Sequence, residues 1–333
     1  MTTLSEAASS IAIPNADRFF IGGDWVSPSS GDSFDIGPWP QMSHRERGDY
    51  LRAIGEQIRQ RSDELATIWS AEMGVTYAAA QAMSHAAGDV FDYYAGLGDS
   101  FPFVERHTPS AGNVGYLVRE PVGVVGAIIP WNAPLTLMTY KVAPALIAGC
   151  TLVIKASPEA PGVALIFADI VKSVNLPAGV VNVLTADREV SELLVRHPGV
   201  DKISFTGSTG AGRRIASILG ERIARFTLEL GGKSAAIILD DYDVGKAAAS
   251  ISSMASLMTG QVCSSLTRVI VTRDRHDAMV EALADAFSRT KVGDPFDPET
   301  QMGPLAMGRQ RDRVELMIAK GCNEGAVRFW WSR

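Results

Sequence analysis

Cysteine is scarce in this sequence, and no apolar run is long. Only three of the 333 residues are cysteines: Cys150, Cys263 and Cys322. Three thiols cannot form a disulfide framework, and this count is typical of a reducing compartment. The most apolar stretch, residues 141–154, is interrupted by Pro144 and Gly149 and falls short of the roughly 20 residues that a membrane-spanning helix needs. Because the N-terminus MTTLSEAASS also lacks the basic segment of a signal peptide, the sequence predicts a cytoplasmic protein with no membrane partner.

Basic residues are outnumbered by acidic ones. The chain has 31 lysines and arginines against 37 aspartates and glutamates, which gives a formal net charge of -6. A protein that binds nucleic acid normally carries a basic surface, so no nucleic-acid partner is expected. The hydrophobic share of 46% and the charged share of 20% are typical of a globular chain. The length allows two domains of roughly 100–200 residues each.

Strand patterns and helix patterns alternate from residue 115 onward. Apolar runs predict strands at 151–155, 180–184, 202–206, 226–230, 234–239 and 267–272. The pieces between them have the length of helices, and the region before them, 44–97, is largely helical in pattern. A further strand with a turn at Gly22-Gly23 is predicted over 19–26. Strands that alternate with helices indicate the α/β class, with a parallel sheet covered on both faces.

Cys263 lies in TGQVCSSLTRVIV, after a loop of small residues and before a predicted strand. A buried, inert thiol is one interpretation, because cysteine is often buried. Polar neighbours, Gln261 before it and Ser264 after it, favour a second interpretation in which its thiolate attacks a carbonyl group.

Glu229 interrupts the apolar run TLEL just before Gly231-Gly232. It is either an edge-strand glutamate that faces water or a general base in a partly dry site. Asn132 lies between two prolines in IIPWNAPL, at a turn from strand to helix. It is either the N-cap of that helix or an amide that donates hydrogen bonds to a developing oxyanion.

Two further motifs suit a phosphate-bearing ligand. SFTGSTGAGRRI (204–215) runs from a strand through Gly207, Gly210 and Gly212 into a helix, whose N-terminus is suited to phosphate. Its spacing differs from the usual dinucleotide loop, so the motif alone is weak. In VIKASPEAP, Lys155 ends a strand, where open α/β sheets bind ligands, and Glu159 follows in the next helical turn. The alternatives are a solvated strand end for Lys155 and a favourable acid in the first turn of a helix for Glu159.

Taken together and in this order, the motifs PWNAPL, IKASPEAP, FTGSTGAG, LELGGKS and GQVCSSLTR resemble the aldehyde dehydrogenase superfamily. FFIGGDWV near the start and VGDPFDPETQMGPLA (292–306) resemble it too, so the likeness spans about residues 18–326. It implies NAD(P)-dependent oxidation of an aldehyde, of unknown identity, to a carboxylic acid, with no metal. Cys263 would be the nucleophile and pass through a thiohemiacetal and a thioester. Asn132 would hold the oxyanion, and Glu229 would activate the hydrolytic water.

The resemblance also implies how the cofactor is held. Lys155 would contact the adenosine ribose, Gly207 and Ser208 would face the pyrophosphate, and Trp131 would lie beside the dinucleotide. The remaining expected cofactor-binding residues are Glu159, Leu230 and Gly231. Many NAD-preferring relatives carry an acid three residues after the lysine. This chain has Pro158 there, which leaves NADP possible, although NAD is favoured.

The family architecture implies three parts. A Rossmann-like parallel-sheet NAD-binding domain would take 1–102 and 122–231, a small oligomerisation hairpin 103–121, and a partial α/β catalytic domain 232–333. The family's homodimers or homotetramers are then the expected assemblies, although the incomplete catalytic domain puts them in question here.

The chain also departs from the family pattern. SFDI runs almost directly into GPWPQM, which predicts an internal deletion near residues 36–37. After Ala326 an apolar strand is expected, yet the chain reads VRFWWSR. Shifting the reading frame by two bases turns Phe-Trp-Trp-Ser codons into Leu-Val-Val, which indicates a frameshift near residue 327; a real aromatic tail is the alternative. We therefore expect a weakened or inactive enzyme. The alternatives are a catalytically dead fragment that at most binds dinucleotide and, less well supported, a cysteine hydrolase.

Overall fold

The computed structural model of the chain describes residues 15, 18–27 and 38–328. The expected deletion near residues 36–37 lies outside the described residues, and so do the last five residues of the chain. The described residues form two compact units. The sheet unit comprises the described parts of Ile11–Ile68 and Gln81–Leu230. The cysteine unit comprises the described parts of Trp69–Ala80 and Gly231–Arg333.

The sheet unit has nine strands within the residues described. They are β1 (Phe19–Ile21), β2 (Asp24–Val26), β3 (Val104–His107), β4 (Gly115–Val118), β5 (Val124–Ile128), β6 (Thr151–Ala156), β7 (Val181–Thr185), β8 (Lys202–Gly207) and β9 (Arg225–Leu230). Seven of them form one sheet in the order β2-β1-β7-β6-β5-β8-β9. Strands β5 to β9 are mutually parallel, whereas β1 runs antiparallel to β2 and to β7. The predicted α/β class and parallel sheet are confirmed.

The helices follow the predicted pattern closely. In chain order they are α1 (His44–Gln60), α2 (Ser62–Met73), α3 (Tyr77–Ser100), α4 (Pro134–Ala148), α5 (Gly162–Ser173), α6 (Arg188–Arg196) and α7 (Thr209–Arg222). Helices α2 and α3 each have residues in both units. No described helix is both long enough and apolar enough to span a membrane.

The first strand pair shows how a local signal fixes a turn. Gly22 and Gly23 have φ values of 63° and 86°, the left-handed region that glycine enters without steric cost. They connect β1 to β2, as the sequence predicts. The turn is tied to the sheet because the Gly22 N–H donates to Asn182 Oδ1 at 3.1 Å.

The core of the sheet unit lies on the central strands. Leu152, Ile154, Val183 and Ile203 are fully buried, and most of α5 is buried against the sheet. On the other side, Ile203 and Phe205 pack with Ile215 and Leu219 of α7. Helices therefore cover both faces of the sheet at its centre, as predicted. Edge strand β9 is the exception, because no further strand of the described residues lies beside it and most of its residues are exposed.

Strands β3 and β4 form the predicted hairpin inside 103–121. They pair antiparallel with Val104 opposite Val118. Their apolar side chains are exposed: Val104, Tyr116, Leu117 and Val118.

The cysteine unit contains a second, smaller sheet. Strands β10 (Ala235–Ile237) and β11 (Arg268–Ile270) pair in parallel. The helices of this unit are α8 (Val244–Ser256), which lies between the two strands in the sequence, and α9 (His276–Ser288) and α10 (Gly308–Asn323), which follow them. Ala236 packs with α8 and α9. On the opposite face Ile237 and Ile270 stand side by side, 66% and 41% exposed. The expectation of a sheet covered on both faces is wrong for this described sheet, because only one layer of helices packs on it.

Candidate active site

The strand order reverses between β5 and β8. From β5 the chain moves to β6 and β7 on one side, and later to β8 and β9 on the other. In open α/β sheets, ligands bind outside the carboxyl ends of the two strands where the order reverses. Trp131 and Asn132 follow β5, and Gly207 and Ser208 lie at the end of β8. Four predicted site residues therefore meet at this switch point.

The N-terminus of α7 has the features of a phosphate site. Ser208 is its N-cap and accepts a hydrogen bond from the Ala211 N–H at 3.3 Å. A Cβ on Gly210, the second residue of α7, would meet nothing within 4 Å. The backbone N–H groups of a first turn have no partner within the helix and attract anions. The pyrophosphate contact expected of Gly207 and Ser208 at this end of the helix stays a prediction.

Close packing explains the other glycines of this motif. A Cβ on Gly207 would lie 2.5 Å from Cζ of Phe205, and one on Gly212 would lie 2.7 Å from Cδ2 of Leu230. Leu230, a predicted cofactor residue, thus packs against α7. A side chain at position 212 would require the Leu230 side chain to move.

Lys155 and Glu159 lie on and just beyond β6. Lys155 is buried, and its Nζ donates to the Ala186 carbonyl oxygen at 3.2 Å. Burial lowers the pKa of Lys155, and the negative charges of Glu159 and Asp187 oppose part of that change. Glu159 accepts a short hydrogen bond from the Ser157 hydroxyl. A solvated strand end is therefore the wrong description of Lys155, which is buried at the carboxyl end of the sheet.

Asn132 is half-buried and is not the N-cap of α4. Ala133 holds that position and makes no capping hydrogen bond through its side chain. The N-cap interpretation is thus wrong, and the role of an oxyanion donor stays a prediction.

Glu229 lies at the same end of the sheet, opposite Thr206 in the pairing of β8 with β9. Lys141 of α4 lies beside Thr206, and its Nζ donates to Thr206 Oγ1 at 2.7 Å. Burial lowers the pKa of Lys141 to about 8, and the charge of Glu229 opposes that fall. Sequence reasoning missed Lys141 and Thr206. The available signal was a lone lysine in the apolar helix PLTLMTYKVAPALIA.

Cys263 belongs to the cysteine unit and lies in a turn with Ser264. It is half-buried and makes no disulfide; the other two cysteines are also free, Cys150 buried and Cys322 exposed. Its carbonyl oxygen lies 3.8 Å from where a Cβ on Gly232 would be. The interpretation of Cys263 as a packed, inert thiol is less suited to this partly open turn than the reactive one.

The structure thus brings one set of predicted residues together in the sheet unit: Trp131, Asn132, Lys155, Glu159, Gly207, Ser208, Glu229 and Leu230. Cys263 and Gly231 lie in the cysteine unit. No group of three or more potential metal ligands occurs among the residues that the structure describes. These features are those of an α/β protein with polar residues at the switch point of a parallel sheet and a free thiol on a loop of the cysteine unit.

Comparison with known proteins identifies the family. The model of the aldehyde dehydrogenase family matches residues 30–330. The chain belongs to the aldehyde dehydrogenase family. A curated relative, geranial dehydrogenase of Castellaniella defragrans, is 39% identical over 290 residues, 87% of this chain and 61% of its own. The chain therefore spans less than two thirds of that relative.

Solved structures agree on the fold. A Mycobacterium tuberculosis aldehyde dehydrogenase complexed with NAD+ has a TM-score of 0.88 and 36% identity, over 93% of this chain and 71% of its own. A mutant of aldehyde dehydrogenase C from Pseudomonas syringae, complexed with NAD+ and octanal, has a TM-score of 0.88 and 33% identity. That match covers 95% of this chain and 71% of the other.

Proposed function

We propose that this chain oxidises an aldehyde to a carboxylic acid with a nicotinamide dinucleotide, through a thioester on Cys263. The observation that carries the proposal is the meeting of Asn132, Gly207, Ser208 and the Lys141-Thr206-Glu229 cluster at the carboxyl ends of neighbouring strands. Family membership supports the same activity. Neighbours solved with NAD+ support the choice of cofactor.

The chain's own residues have these roles. The Cys263 thiolate attacks the aldehyde carbon and forms a thiohemiacetal, while the Asn132 amide and the Cys263 N–H donate to its oxyanion. Loss of hydride leaves a thioester. Glu229 takes a proton from water, the water attacks the thioester carbon, and the thiolate leaves as the acid is released. Lys141 holds a positive charge beside Glu229 through Thr206.

The dinucleotide, when bound, supplies the hydride acceptor. Its pyrophosphate would be held by the N-terminus of α7 at Gly207 and Ser208, and its adenosine ribose by Lys155. Pro158 holds no charge at the position where many NAD-preferring relatives carry an acid, so a 2′-phosphate would meet less repulsion there. We propose NAD as the cofactor, with NADP as an accepted alternative.

A second candidate function is binding of dinucleotide without turnover. Two observations favour it: Glu229 is exposed on an edge strand, and one face of the β10–β11 sheet is bare. A general base works best where water is largely excluded, and bare apolar sheet faces weaken a unit. The dinucleotide site, in contrast, rests on buried strands.

The test is aldehyde-dependent formation of NADH by the purified chain with octanal and geranial. Cys263→Ala should abolish it, whereas Cys322→Ala, which removes an exposed thiol, should leave it unchanged. Titration with NAD alone, followed by calorimetry, tests binding separately. NAD binding without NADH formation in any variant would favour the second candidate. Equal turnover by wild type and Cys263→Ala would reject the thioester mechanism.

We also propose that copies associate through the exposed hairpin β3–β4 into a homodimer or homotetramer. Its apolar side chains at 104, 116, 117 and 118 support this. The cytoplasm suits the proposed chemistry, because a reducing compartment keeps Cys263 a thiol.

A further inference from the structure

Three consecutive residues in the left-handed region precede the Cys263 turn. Met258, Thr259 and Gly260 have φ values of 51°, 58° and 69°. Glycine adopts this conformation freely, but a β-branched threonine is a marked exception there. Strained backbone of this kind persists only when its surroundings hold it in place.

Side-chain hydrogen bonds provide that hold. The Thr259 hydroxyl lies 3.0 Å from the Gly303 carbonyl oxygen and 3.2 Å from that of Pro304. Gln261 bonds in two directions: its Nε2 donates to the Met258 carbonyl oxygen at 3.2 Å, and its Oε1 accepts from the Ala306 N–H at 3.2 Å. The residues on both sides of Gly260 are therefore fastened to the segment 303–306.

The segment 303–306 is itself fixed by backbone contact. A Cβ on Gly303 would lie 1.9 Å from the Gly74 carbonyl oxygen. In turn, a Cβ on Gly74, whose φ is +81°, would lie 2.5 Å from the Pro304 carbonyl oxygen. The two backbones touch with no room for a side chain, so the acceptors of Thr259 have little freedom to move.

We infer that Thr259 and Gln261 are positioning residues that hold the Cys263 turn in its working conformation against the segment 303–306. The nucleophilic role of Cys263 rests on the proposed function. The proposal that Thr259 and Gln261 fix the loop does not rest on that function, because it is argued from contacts within the cysteine unit.

The test compares Thr259→Val, Thr259→Ser and Gln261→Met, with circular dichroism to check folding. Valine keeps the branched shape without the hydroxyl, serine keeps the hydroxyl, and methionine keeps the length of glutamine without its amide. Thr272→Val is the matched control, because Thr272 Oγ1 donates to Asp240 Oδ1 at 3.0 Å elsewhere in the same unit. All variants carry Cys322→Ser, so that the exposed thiol does not compete.

Two readouts need no turnover: hydrogen exchange of residues 258–265, and alkylation of Cys263 by iodoacetamide, followed by mass spectrometry. Thr259→Val and Gln261→Met should exchange and react several-fold faster than wild type, whereas Thr259→Ser and Thr272→Val should match it. Wild-type behaviour of both Thr259→Val and Gln261→Met would overturn the proposal. An equal effect of Thr272→Val would overturn it too.

A third readout connects the hold to catalysis. In an active enzyme, Thr259→Val should lower kcat about tenfold or more with KM nearly unchanged, because a small displacement of a reacting group is costly. An unchanged kcat beside faster exchange would overturn the positioning role. If wild type oxidises no aldehyde, the proposed function fails, while exchange and alkylation still decide the hold.

Discussion

Replacing Lys141 by methionine should change stability in a way that reverses with pH. Burial lowers the pKa of its ammonium from 10.5 to about 8, with Glu229 opposing and Lys202 adding to the fall. Such a shift corresponds to about 3 kcal/mol against the charged form. Below pH 8 the folded protein bears that full cost. As pH rises from 8 towards 10.5, the folded state has released a proton that the unfolded chain still holds, so stability increases.

The variant loses this cost and also loses a hydrogen bond. Thr206 is buried, and without Lys141 its hydroxyl lacks that partner, which costs about 1–3 kcal/mol. At pH 7 we expect Lys141→Met to equal or exceed wild type by up to about 2 kcal/mol. At pH 9.5 wild type has regained about 2 kcal/mol of the cost, so the difference moves against the variant by that amount. Adding Thr206→Val removes the orphaned hydroxyl and should restore stability at both pH values.

The assay is urea unfolding at pH 7 and 9.5, followed by circular dichroism. Lys172→Met is the matched control, because Lys172 pairs with Asp24 at the surface at 2.7 Å. Its effect should stay within about 0.5 kcal/mol at both pH values. If the difference between Lys141→Met and wild type were the same at pH 7 and 9.5, the argument from burial would be refuted. Turnover should fall at pH 7, where the cation beside Glu229 is lost, and change much less at pH 9.5, where wild-type Lys141 is already largely neutral.

Two further predictions test packing and association. Gly303→Ala should destabilise the cysteine unit by about 1–3 kcal/mol, because its Cβ would collide with the Gly74 carbonyl oxygen. Gly308→Ala is the control and should be nearly neutral, because a Cβ on Gly308 meets nothing within 4 Å. Hydrogen exchange of residues 70–76 measures the difference, and equal protection in both variants would contradict the prediction. Leu117→Glu on the hairpin should shift the molar mass measured by light scattering towards that of the monomer. Leu193→Glu should leave the molar mass unchanged, because Leu193 is an exposed apolar residue of the sheet unit outside the hairpin. Association that survives Leu117→Glu would exclude the hairpin as the interface.

The sequence allowed the elements of the sheet unit to be predicted because their signals are local. The strand predicted over 180–184 lies at Val181–Thr185, and the turn at Gly22-Gly23 connects β1 to β2. Both depend on apolar runs or on glycines in left-handed conformation, which neighbouring residues determine. Asn132 and Ser208 could each be assigned to a turn that follows a strand, because these signals are local too, whereas the strand order that brings them to one switch point is seen only in the structure.

Features set by distant contacts could not be predicted in the same way. The helix predicted over 243–258 ends at Ser256, because the next residues turn left-handed and are held by the segment 303–306. Nothing in the local sequence LMTG indicates this, since threonine disfavours that conformation. Lys141 and Thr206 are 65 positions apart, and only the packing of α4 on the sheet brings them together.

The burial of each site residue separates the two candidate functions. Lys155 and the strand ends at the switch point are supported by strands that are buried on both faces, so the proposed dinucleotide binding depends on a well-buried part of the described chain. Glu229 lies on edge strand β9, and Cys263 lies in a unit whose small sheet has one bare face. Hydrolysis of the thioester needs a dry, fixed general base, whereas attack of the thiolate needs only the held loop. Of the proposed activities, hydrolysis of the thioester by Glu229 is therefore the one most easily lost, and cofactor binding is the one least easily lost.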